Sequence, residues 1–177
     1  MKIHRPEPRP AVSSLAASRI REVANVGMGR PDVLAFWFGE SDEVTPAFIR
    51  DAASVALAEG DTFYTQNLGI PALRAALADY QSQLHRRTVA DEVVVTNSGM
   101  SALMLATQAL VGPGDRVVVV TPVWPNLVEI PKILGATVVT VALRAESAGW
   151  RLDLDRLIDA LTPDTRLLII NSPANPT

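Results

Sequence analysis

The chain has 177 residues, 48% of them hydrophobic and 20% charged, with a formal net charge of -3. That is enough apolar chain to bury the core of one domain or slightly more, which excludes a disordered polyelectrolyte, and the small negative charge argues against a broad nucleic-acid-binding face. The absence of cysteine removes disulfide frameworks, thiolate metal sites and cysteine nucleophiles. No stretch reaches the roughly 20 apolar residues of a membrane span. The proline-rich, charged opening MKIHRPEPRPAV lacks the apolar segment of a signal peptide, so a cytoplasmic location is expected.

In chain order, residues 1–11 read as an irregular arm. Ser13 or Ser14 can cap a helix running to Val26, ended by Gly27 and Gly29. An extended segment is expected over 33–38. Thr45-Pro46 then reads as a helix start, followed by Ile49, Ala52, Ala53, Ala56 and Leu57 at the spacing of one buried stripe. After a polar loop over 61–68, Gly69-Ile70-Pro71 opens a helix with the stripe Leu73, Leu77, Tyr80 and Leu84. Strands are expected at 93–96, 116–121, 137–143 and 166–170. Helices are expected at 100–111, apolar nearly all round and therefore buried on most sides, at 124–134, and after Asp153 with the stripe Leu154, Leu157, Ile158 and Leu161. Near-continuous apolar β runs separated by helices argue for a parallel α/β sheet covered on both faces. Such a sheet takes its ligand beyond the carboxyl ends of its strands.

Several residues following those strands can carry chemistry. Thr96-Asn97-Ser98-Gly99-Met100 lies between a strand and a helix, where free N–H groups and the helix dipole favour phosphate. The same residues can also form an ordinary helix cap. Trp124, held between Pro122-Val123 and Pro125, can stack on a planar ligand or simply fill the core. Asn171 and Asn175 sit in the proline-stiffened stretch NSPANPT, where an amide can meet a ligand oxygen or form a turn. Tyr64 stands in a polar loop. His4 and His85 have no partners at metal or triad spacing, and the only lysines are Lys2 and Lys132.

Taken in order, five stretches make the chain resemble the amino-terminal part of a fold-type-I pyridoxal-phosphate (PLP) enzyme of the class I/II aminotransferase family. They are Gly39-Glu40-Ser41-Asp42 with Thr45-Pro46; Tyr64 with Gly69, Leu73 and Arg74; Asn97-Ser98-Gly99; Pro122-Val123-Trp124; and Asn171 to Thr177. The resemblance covers the chain from about residue 33 onward. It implies a PLP-transferase-like α/β fold with a mainly parallel sheet. Residues 1–45 would be an arm and small-domain segment, and 46–177 the first part of a large PLP-binding domain. It implies that Ser98, Gly99 and Met100 hold the PLP phosphate, Trp124 stacks on the pyridine ring, Asn175 donates to the ring's phenolic oxygen, and Gly39 lies beside the substrate carboxylate. Tyr64 would reach the partner subunit's PLP phosphate, so the expected assembly is a homodimer with shared sites, acting on an amino acid and a 2-oxo acid.

Three departures stand out. Met100 replaces a polar or small residue, Leu127 a frequent aromatic, and Ser41 a frequent proline. The family's imine-forming lysine, its aspartate for the pyridine nitrogen and its carboxylate-binding arginine come later than residue 177, so the chain alone is expected to be inactive. The resemblance also implies that 93–96 pairs with none of the other three strands and that the last strand needs a further neighbour. Competing readings are a lyase or decarboxylase of the same fold, a PLP-sensing regulatory domain, and a plain nucleotide-binding α/β domain. The last would carry a glycine-rich turn after its first strand.

Overall fold

The structure, a computed structural model, describes residues 6–177; His4 and Lys2 lie outside them. The elements are α1 (Pro10–Ser13), α2 (Arg19–Gly27), α3 (Ala47–Ala58), α4 (Pro71–Leu84), a 3-10 turn at Ala90–Glu92 and α5 (Gly99–Leu110). There follow β1 (Arg116–Thr121), α6 (Asn126–Ile133), β2 (Thr137–Ala142), β3 (Arg144–Glu146), β4 (Gly149–Arg151), α7 (Leu154–Ala160) and β5 (Thr165–Ile169). They fall into two compact units. One comprises Thr96–Thr177 with the stretch ending at Leu15, and the other is Ala16–Val95.

The first unit is built on a three-stranded parallel sheet in the order β2-β1-β5. Its centre is β1, whose sequence Arg-Val-Val-Val-Val-Thr is β-branched from Val117 to Thr121 and so suits a pleated strand packed on both sides. Val117, Val118 and Val119 have no exposed surface. Val117 and Val119 join Val111, Val123 and Leu127 in one cluster, while Val118 and Val120 join Val141 and Leu157 in another on the opposite face. Helix α6 therefore covers one face and α7 the other. Helix α5 runs against the strands: at its start Met100 meets Asn126, just past the end of β1, and at its finish the Leu110 carbonyl accepts from Arg166 Nε near the beginning of β5. Its amino terminus thus lies at the carboxyl end of the sheet.

Helix α7 is capped by Asp153, whose carboxylate accepts from the Arg156 backbone N–H at 3.1 Å and pairs with Arg144. That N–H, and then the nearby guanidinium, hold the carboxyl below its usual range. The cap is therefore complete near neutral pH and is lost as the pH falls through the lowered value.

In the second unit Ser18 caps α2 by accepting from the Arg21 N–H. Trp37 lies over Gly27, where an added Cβ would come within 2.7 Å of the ring. The mostly buried Arg74 guanidinium donates to the carbonyls of Val93 at 2.9 Å and Ala90 at 2.7 Å, tying α4 to the 3-10 turn. Gly69 sits at φ +105°, in the left-handed region, and a Cβ there would lie 2.6 Å from the Val95 side chain. Beside it the Val95 N–H donates to the Leu68 carbonyl.

Several expectations need correction. The arm is helical at Pro10–Ser13, and the next helix starts after Ser18 rather than Ser13 or Ser14. Residues 33–38 pair in no strand, with bends at Val33, Trp37 and Phe38. Pro46 is itself the N-cap of α3, and the stripe of α3 is uncovered, with Ile49 and Leu57 exposed. On α4 the buried side is centred on Ala78, while Leu73, Tyr80 and Leu84 are exposed. Only Thr107 of α5 is buried, and of the α7 stripe only Leu157. Helix α6 begins at Asn126, β2 ends at Ala142 and β5 is Thr165–Ile169. The hairpin β3-β4 went unforeseen.

Residues 93–96 form no strand at all; a β run without a ladder has nothing to define it. They pair with none of the other strands, as expected. The outer edge of β5 also has no partner among the described residues. Beside it lies an apolar depression of about 220 Å³, lined in part by Leu103, Leu110, Leu127, Leu167 and Ile169. An open apolar strand edge is a template for association. The 177-residue chain expressed alone is accordingly expected to self-associate or to lose structure without a sharp transition, as read by size-exclusion chromatography and calorimetry. A soluble monomer with one cooperative melt would contradict this.

Candidate functional site

At the carboxyl end of the sheet three segments project from the first unit. The first is the turn into α5. Ser98 is extended (φ -164°, ψ 155°), so its hydroxyl can fold back to accept from the Ser101 N–H at 3.1 Å, while its carbonyl accepts from the Ala102 N–H. Thr96 Oγ1 donates to the Ser98 carbonyl at 2.7 Å. With Ser98 committed to the cap, the N–H groups of Gly99 and Met100 make no hydrogen bond among the described residues. A Cβ built on Gly99 would meet nothing within 4 Å, so the approach to those donors is open. Two unspent N–H groups, an open approach and a positive helix end form a donor set that suits a phosphate.

The second segment follows β1. Trp124 is partly buried, with its ring packed against the cluster of Val111, Val117, Val119, Val123 and Leu127. Its carbonyl accepts from the Leu127 N–H at 3.0 Å, which closes the turn into α6. The indole is thus anchored against the core while part of its surface stays accessible. The third segment follows β5. Asn171 Oδ1 accepts from the Asn175 N–H at 2.9 Å, fixing the backbone at Asn175. The Asn175 side chain is exposed and makes no hydrogen bond among the described residues.

Gly39 and Tyr64 belong to the second unit. Gly39 is exposed, just past a bend at residues 37–38, with open space where a Cβ would be, and Tyr64 is fully exposed with no hydrogen bond among the described residues. The structure therefore gathers Ser98, Gly99, Met100, Trp124 and Asn175 on one unit and leaves Gly39 and Tyr64 on the other. Asn171, singled out with Asn175 as a ligand donor or turn former, takes the turn role here by holding the Asn175 backbone. Asn126, whose amide donates to Met100 Sδ at 3.5 Å, was not singled out; its only signal is an Asn two residues past Trp124. Among the described residues no cluster of His, Asp or Glu could hold a metal, and no helix is long and apolar enough to cross a membrane.

The model of the family "Aminotransferase class I and II" matches residues 23–177. The chain belongs to that family. It corresponds to the amino-terminal part of a fold-type-I aminotransferase. It is 36% identical over 170 residues to aspartate/prephenate aminotransferase of Thermus thermophilus, covering 96% of this chain and 43% of that protein. Against aspartate aminotransferase of Pyrococcus horikoshii it is 34% identical over 161 residues, covering 90% and 41%. Among solved structures, a single mutant of Thermus thermophilus aspartate aminotransferase superposes with a TM-score of 0.87 at 34% identity, over 98% of this chain and 46% of that one. N-succinyldiaminopimelate aminotransferase from Mycobacterium tuberculosis gives 0.75 at 37% identity, over 79% and 37%. The aminotransferase fold expected from the sequence is thus present in part, and the chain spans less than half the length of the relatives it matches.

The Ser98 cap lends itself to a direct test. In cofactor-free protein, Ser98→Ala should lower the unfolding free energy by about 1 kcal/mol and Ser98→Gly by only a few tenths, because glycine is a tolerated cap and alanine is not. Denaturant titration decides it. Equal stability of the two variants would show that the hydroxyl does not cap α5.

Proposed function

We propose that the chain supplies the cofactor-holding part of a PLP-dependent aminotransferase, which exchanges an amino group between an amino acid and a 2-oxo acid in the cytoplasm. The observation that carries this reading is the pair of unspent N–H groups at the start of α5, at the same end of the sheet as the loops bearing Trp124 and Asn175. Family membership supports PLP as the group held there. When bound, PLP supplies an electron sink for chemistry at the substrate α-carbon. The chain's own residues bind and orient. The N–H groups of Gly99 and Met100, with Ser98, hold the phosphate. Trp124 covers one face of the ring and keeps water from it. Asn175 donates its amide to the phenolic oxygen, and its backbone is kept in place by Asn171.

Gly39, lacking a side chain, leaves room for the substrate carboxylate. Tyr64 contributes its hydroxyl to the phosphate of the partner subunit's site, which makes the enzyme a homodimer. The division at 45/46 into an arm with a small-domain segment and a large domain belongs to the same reading.

Lys132 is the only lysine among the described residues, and its ammonium is paired with Glu129 at 2.7 Å on α6. It does not fit as the lysine that joins PLP covalently. In this reading that lysine lies outside the described residues. The prediction has two arms. The isolated 177-residue protein with PLP, aspartate and a 2-oxo acid should transfer no amino group faster than free PLP does. The full-length protein should transfer it, and Trp124→Ala should lower its kcat/KM by roughly tenfold or more, the effect of about 1.4 kcal/mol. Loss of carbon dioxide or of a β-substituent without amino transfer would favour a decarboxylase or lyase. PLP binding with no turnover would favour a sensing domain.

A further inference from the structure

Met100 is an odd residue for a phosphate-holding turn, since a thioether has lone pairs but no proton to give. The structure shows what the side chain meets instead. Asn126 Nδ2 donates to Met100 Sδ at 3.5 Å, in a part-buried contact between residues 26 apart in sequence. Asn126 is the first residue of α6, directly after the N-cap Pro125, and its Nδ2 has no other acceptor among the described residues.

Each partner sits on a rigid turn. Residues 124–127 are closed by the Leu127 N–H on the Trp124 carbonyl and anchored by the buried Leu127. Residues 98–102 are closed by the Ser101 and Ala102 N–H groups on Ser98. Met100 lies two residues after Ser98, and Asn126 two residues after Trp124. We infer that the Asn126–Met100 contact is a clamp that sets the span between the phosphate-holding turn and the ring-stacking tryptophan, making Asn126 a positioning residue for PLP. This rests on the PLP reading above.

A clamp of this kind has a particular signature. A ligand that fills only one turn does not sense the span, whereas a ligand that must reach both turns does. The test uses full-length protein freed of cofactor, as wild type, Asn126→Ala, Met100→Leu and the double variant. Met→Leu keeps the volume and the backbone N–H while removing the sulfur acceptor. Dissociation constants are measured for PLP, for pyridoxal, which lacks the phosphate, and for inorganic phosphate.

PLP affinity is expected to fall about three- to tenfold in each single variant, the effect of one modest hydrogen bond, and no further in the double variant. Affinities for pyridoxal and for inorganic phosphate should stay as in the wild type. Unchanged PLP affinity in both single variants, additive loss in the double, or equal loss for phosphate alone would each overturn the clamp. If Asn126→Ala fails to fold, Asn126→Asp takes its place, since a carboxylate of the same size cannot donate to sulfur. A wild-type protein that binds no PLP would instead overturn the PLP reading itself.

Discussion

Everything in the sheet-bearing unit depends on the burial of one strand. Four consecutive valines, Val117 to Val120, are paired with β2 on one side, the first three of them with β5 on the other, and they are covered by helices above and below. Burying each such side chain contributes about 1.5–3 kcal/mol, so this strand is the most strongly specified part of the chain. Parallel neighbours require crossover connections, which bring the chain back to the amino end of the sheet each time, so that every strand finishes at the carboxyl end. That end is where the turn into α5, the Trp124 segment and the NSPANPT loop all emerge. The core therefore places the candidate site before any ligand-binding residue is considered.

The chemistry then follows from what the backbone leaves unspent. A helix start has four N–H groups without helical acceptors. In α5 the Ser98 side chain and carbonyl take up those of Ser101 and Ala102, leaving those of Gly99 and Met100 without an acceptor among the described residues and open space beside Gly99. The absence of a side chain at residue 99 keeps that space open. In the proposed reading, the aromatic and amide groups of Trp124 and Asn175 on the neighbouring loops complete the site for a flat, anionic, oxygen-bearing cofactor. The polar side chains that orient these groups are themselves held: Asn171 braces Asn175, and Asn126 engages Met100.

Strands in contact with the central β1 were legible because a run such as RVVVVT admits little else, and the capping residues Ser98 and Asp153 were legible because their side chains act locally. Burial was less legible. Amphipathic stripes on α3, α4 and α7 are patterned for partners, and within the described residues those partners are largely missing, so Ile49, Leu57, Tyr80 and Ile158 stay exposed. The strand expected at 93–96 failed for the same reason, since apolar sequence supplies the propensity and only a neighbouring ladder makes the strand. The site's outward-facing residues are proposed through their order along the chain. Asn126 was missed because a side-chain contact between residues 26 apart leaves no local pattern.

The central claim is that the start of α5 holds the phosphate of a cofactor whose ring lies on Trp124. A crystal structure of the full-length protein grown with PLP tests it most directly. The account predicts phosphate oxygens about 2.7–3.2 Å from the N–H groups of Gly99 and Met100, with the pyridine ring flat against Trp124 and its phenolic oxygen within reach of the Asn175 amide. A phosphate bound elsewhere while those two N–H groups face solvent would contradict it.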